Sequence, residues 1–137
     1  MNRNILPRYF LLIGLVALVA SGCRKNRDEI PRVDFTIDMT DPAHPEYQAL
    51  NSTGGTVYFP EYGLLVGKSF NGYFAVTGQC TAHSCQLEYQ YSFDQLKCPC
   101  YGCLFGTDGS VQMGPATQPL LVYATQLNGQ WLRVYSP

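Results

Sequence analysis

Histidine is nearly absent from this chain: His44 and His83 are its only two, and charged residues make up 14% of its 137 positions. The sequence has no Ser-His-Asp set, no phosphate-cradling glycine loop and no carboxylate pair spaced for acid and base work. Ordinary hydrolytic or phosphoryl-transfer chemistry therefore has no residues to run on, and the chain reads as one without a substrate site of its own. Nine basic and ten acidic residues nearly cancel, so the electrostatic footprint expected of a nucleic-acid partner is missing. Helical periodicity, internal repeats and low-complexity tracts are lacking as well. The length suits a single domain with one sizeable core.

What is present points to a compact, turn-rich β protein, with ten tyrosines, seven phenylalanines and thirteen glycines. The N-terminus is set apart from that domain. "MNRNILPR" carries two arginines and no acid, "YFLLIGLVALVA" is continuously apolar, and "SGC" follows, which is the layout of an export signal. The apolar run falls short of the roughly 20 residues of a membrane span. Ala20-Ser21-Gly22-Cys23 resembles a bacterial lipobox, with alanine where leucine is more usual. That resemblance implies cleavage of residues 1–22, lipidation of Cys23 and a short polar linker over residues 23–32. Arg24 stands where lipoproteins kept at the inner membrane carry aspartate, so the expected location is the bacterial cell envelope, lipid-anchored at the outer membrane. The lipid would be the sole anchor, and export would place the remaining cysteines where disulfides persist.

From residue 33 to 137 the chain reads as strands and tight turns. "VDFTIDM" alternates apolar and polar, "TVYF" and "LLVGKSF" read as strands, and Asn71-Gly72 is a hairpin signal leading into "YFAVT". "TDPAHPEYQAL" carries two prolines and reads as a loop, in which His44 is solvated rather than a ligand. In "LEYQYSF", alternation puts Leu87, Tyr89, Tyr91 and Phe93 on one face of a strand, as core. Asp108-Gly109 and Asn128-Gly129 mark two more turns, and the apolar alternation of the last strand assigns Trp131 to the core.

Five of the six cysteines fall in two short stretches, "CTAHSC" at 80–85 and "CPCYGC" at 98–103. Together with Pro99, Gly102, Phe105, Asp108-Gly109 and "GPATQPL" at 114–120, these stretches resemble a Rieske iron–sulfur domain. Its two loops read C-x-H-x-G-C and C-P-C-H-G-S, with a downstream segment that covers the cluster. The resemblance implies an all-β, Rieske-like antiparallel β-sandwich with two cysteine-bearing loops, a [2Fe-2S] cluster and one-electron transfer with a redox protein partner. It implies that Cys80 and Cys98 ligate one iron and that Cys85 and Cys100 form a disulfide between the loops.

The sequence departs from the family at both histidine ligands, where it has Ala82 and Tyr101. Alanine has no donor atom, and tyrosine, with a pKa of about 10, is a poorer ligand at neutral pH than thiolate or imidazole. His83 and Cys103 lie one and two places further on and are the candidates for the second iron, with Tyr101 as a substitute. A three-cysteine, one-histidine cluster would carry more negative charge than a two-histidine centre and so a lower potential. A different class of reading stays open: a degenerate, metal-free domain stapled by pairing Cys80 with Cys98 and Cys85 with Cys100 or Cys103, used for binding or assembly. Zinc on three thiolates and an imidazole, and disulfide exchange at "CPC", complete the alternatives.

Overall fold

The computed structural model describes residues 31–137. The expected signal, Cys23 with its expected lipid, and most of the expected linker lie outside them. Ten strands follow in chain order: β1 (Asp34–Asp38), β2 (Thr56–Phe59), β3 (Leu64–Ser69), β4 (Gly72–Thr77), β5 (Glu88–Gln90), β6 (Gln95–Lys97), β7 (Leu104–Gly106), β8 (Val111–Met113), β9 (Val122–Asn128) and β10 (Trp131–Tyr135). They form a six-stranded sheet in the order β1-β10-β9-β4-β3-β2 and a four-stranded sheet in the order β5-β6-β7-β8. Every named pairing is antiparallel, as expected of short strands joined by tight turns. Among the described residues no helix is long and apolar enough to cross a membrane.

The pleat of β3 and β4 explains how two cores are built from one sheet. Leu64, Val66 and Ala75 point to one side and join Ile37, Leu132 and Val134 from β1 and β10. Leu65, Phe74 and Val76 point to the other side and meet the four-stranded sheet through Leu96 and Phe105. Strands buried on both faces read as continuous apolar runs, which is why "LLV" and "FAV" lack alternation. The second core also holds Cys80, Cys98 and Cys103, so the cysteine loops are rooted in packed hydrophobic structure.

Three expectations are corrected. "PEYQALN" is a 3-10 helix rather than an irregular loop, with Pro45 at its first position and Leu50 fully buried beneath it. "LEYQYSF" is not one strand: pairing stops at Gln90, and Tyr91–Phe93 turn through a 3-10 helix that ends at Asp94 in the left-handed region, φ 48°. Phe93 is accordingly 73% exposed. Trp131 lies on the outward side of β10 and is 46% exposed, because Leu132 and Val134 occupy the inward positions. His44 is in its predicted exposed place, 3.1 Å from Glu46.

Candidate iron–sulfur site

The two cysteine loops are built on one hydrogen-bond plan. In the first, the Cys80 amide donates to the Cys85 carbonyl at 2.7 Å and the Ser84 amide donates to the Cys80 carbonyl at 2.8 Å. In the second, Cys98 donates to Cys103 at 2.8 Å and Gly102 to Cys98 at 2.9 Å. Each loop thus closes first residue on sixth and fifth on first. Closing that ring requires a left-handed residue in the fifth position, filled by Gly102 at φ 69° and by Ser84 at φ 54°. Glycine takes that conformation without cost, whereas serine does so at roughly 1–3 kcal/mol. Ser84, standing where the family motif has glycine, is a departure that the sequence reading passed over.

Cys85 and Cys100 are joined as a disulfide that ties the loops together. Cys80, Cys98 and Cys103 remain free thiols and are 2%, 0% and 0% exposed. The stapled alternative would pair Cys80 with Cys98, but the structure keeps both free. Tyr101 is 55% exposed, His83 is exposed as well, and their rings stack across the loop tips with centroids 3.6 Å apart. They hold the same place in the two loops, the fourth of six.

The "GPATQPL" segment covers both loops. The Thr81 hydroxyl donates to the Gln118 carbonyl at 2.7 Å, and Ala116 and Leu120 are buried against the thiols. Gly114 lies so close to the second loop that a Cβ on it would be 2.7 Å from the Cys103 Cα. Behind the thiols Tyr89 packs on Phe74 at 5.1 Å and donates its hydroxyl to Asp94 Oδ1 at 2.6 Å. Burial, and then that hydrogen bond, hold its phenol well above the usual tyrosine range. Thr81 and Asp94 had no signal in the sequence, since each acts through a partner distant from any motif.

A [2Fe-2S] cluster makes a specific demand on the protein's donors. Each iron of such a cluster takes two protein ligands, so the protein must offer two pairs rather than one convergent set. The inner pair, Cys80 and Cys98, is present, buried and unpaired. For the outer pair there are Cys103, buried, and the His83–Tyr101 stack at the surface. A tetrahedral zinc site needs its donors on one centre. Among the described residues no three His, Cys, Asp or Glu side chains make such a group.

The paired loops, their disulfide and the covering segment define a class of iron–sulfur domain, and the comparisons with known proteins agree. The pattern of the Rieske [2Fe-2S] domain matches residues 46–131, and the chain belongs to that family. The cytochrome b6-f complex iron-sulfur subunit of Chlorobaculum tepidum is 28% identical over 83 residues, which are 61% of this chain and 46% of that subunit. The corresponding subunit of Gloeobacter violaceus is 42% identical over 53 residues, 38% of this chain and 28% of its own length. The matched stretches thus span less than half of these relatives. Among solved structures, the plasma membrane Rieske protein PetC3 of Synechocystis PCC 6803 superposes with a TM-score of 0.52 at 30% identity, over 59% of this chain and 84% of that one. A ferredoxin of Sphingomonas yanoikuyae B1, 23% identical with a TM-score of 0.54, shares the fold.

Proposed function

We propose that the protein is a one-electron carrier of the bacterial cell envelope, anchored through a lipid on Cys23 and holding a [2Fe-2S] cluster with an atypical ligand set. When bound, such a cluster takes up and gives back one electron at a time. Cys80 and Cys98 supply the thiolates for one iron; His83 and Cys103 serve the other, with Tyr101 as the substitute donor. The observation that carries this reading is the set of three free, buried thiols on two loops already pinned by a separate disulfide. A domain needing only stability would gain more by pairing two of them. The remaining residues do familiar work: Leu96, Phe105 and Ala116 exclude water, and the 114–120 segment closes over the loops. The related b6-f subunits and PetC3 support a redox partner at a membrane.

The reading is tested at Cys103. In Cys103→Ser and His83→Ala variants, iron content and visible absorption should fall or shift, while far-UV circular dichroism stays that of the parent. Unchanged iron and an unchanged spectrum in both variants would remove them from the ligand set.

A further inference from the structure

The outward face of β1, β10 and β9 belongs to neither core, and it carries the chain's single tryptophan. Trp131 stands opposite Asp38 on one side and Asn128 on the other, and Arg133 opposite Thr36 and Gln126. Cross-strand partners share a face, so these side chains form one surface. Thr36, Gln126, Asn128, Trp131 and Arg133 line a shallow groove of about 200 Å³ on it. That is below the usual range for an enclosed small-molecule pocket and suits a single ring lying against a wall.

The guanidinium on this face is already paired. Arg133 holds Asp34 through Nε at 2.8 Å and Nη2 at 2.5 Å, with its guanidinium 4.7 Å from the centre of the Tyr135 ring. Asp38 Oδ1 accepts from the Thr40 amide at 2.9 Å and its hydroxyl at 2.7 Å. The rest of the groove lining is neutral: the amides of Gln126 and Asn128, which both donate and accept, the Thr36 hydroxyl, and Trp131, left 46% exposed. An anion would find no free countercharge there, and the Asp38 carboxylate opposite Trp131, which only the neutral Thr40 donors hold, can also accept from a hydroxyl. A polyhydroxylated ring has the matching chemistry, with C–H faces to lie on the indole and hydroxyls to exchange hydrogen bonds with the amides. We infer that this groove is a saccharide-binding site, distinct from the cysteine loops and independent of whether they hold iron.

Trp131 is the only fluorophore of its kind in the chain, so its emission reports on the groove directly. The full-length protein, in a detergent without a sugar headgroup, would be titrated with oligomers of glucose, galactose, mannose and N-acetylglucosamine. The titration would reach about ten times the millimolar Kd expected of so shallow a contact. The expected result is a saturable change in emission with at least one series. Thr36→Val and Gln126→Ala keep the strand and the fluorophore, and together they should weaken that binding at least about tenfold, roughly the loss of one good hydrogen bond. No saturable change with any series, or the same affinity in the double variant, would overturn the assignment. A change seen only with phosphatidylglycerol vesicles would overturn it too, making the face a membrane contact instead.

Discussion

Residue by residue, the cysteine loops keep the family's residue types at some positions and have lost them at others. Cys80, Cys98, Cys85 and Cys100 could be assigned from spacing within a family resemblance, and the structure places the first two as buried thiols and joins the other two. The stack of His83 on Tyr101 could not be foreseen, because stacking depends on the loops' shared hydrogen-bond plan and not on either motif alone. Trp131 was misread for a definable reason. "WLRVY" is apolar in both alternations, and the one discriminating residue is Arg133, whose charge marks its own side, and therefore that of Trp131, as outward. Asp108 offers a residue-level test. Hydrogen bonds from the Ser110 hydroxyl at 2.6 Å and amide at 3.0 Å hold its carboxyl below the ordinary value. A carboxylate with a lowered folded pKa contributes its stability above the unfolded pKa, near 4, and loses it as pH falls through and below that value. Asp108→Ala should therefore cost up to about 1 kcal/mol at neutral pH for this exposed group. The gap from the parent should close in denaturant titrations taken below about pH 4. A gap that persists or widens in acid would contradict that role.

At the scale of elements, the hairpins were the legible part. Asn71-Gly72, Asp108-Gly109 and Asn128-Gly129 each fall at the link between paired antiparallel strands, although the ladder shifts two of the turns by one residue, to Phe70-Asn71 and Gly129-Gln130, with Gly72 and Asn128 already paired. Short strands without alternation were harder to read, and β6, only three residues long, has its register set by β5 and β7 on either side. The break after Gln90 was equally hidden, since Asp94 stops the strand through its left-handed backbone and its hold on Tyr89. Two predictions belong here. Gly114 has φ 103°, and an added methyl would press on the backbone of Cys103. Gly114→Ala should destabilise the fold by about 1–3 kcal/mol and lower iron loading, measured by thermal melting and metal analysis. Parent-like values for both would mean that the covering segment does not constrain the second loop. The Cys85–Cys100 bridge spans a sequence separation of 15. Replacing both cysteines by alanine should cost roughly 3 kcal/mol in urea unfolding. A loss well under 1 kcal/mol would show that the loops are held by their packing alone.

For the whole molecule, the two-core design matters because one sheet supports both halves: β3 and β4 face the body of the domain on one side and the cysteine loops on the other. The match to the Rieske [2Fe-2S] domain over residues 46–131 takes in this arrangement, and the loops on it are tied by the bridge and the 114–120 cover. Within the two loops, this chain departs from that pattern at Ala82, Ser84 and Tyr101 and at the buried Cys103. The proposed function requires that these loops still hold a cluster. The most direct measurement is the iron and labile sulfide content of the full-length protein, purified without oxygen and again after anaerobic reconstitution. A bound cluster should give two irons and two sulfides per chain, with a reduction potential below the range of about −150 to +300 mV of two-histidine centres. No iron in either preparation would contradict it.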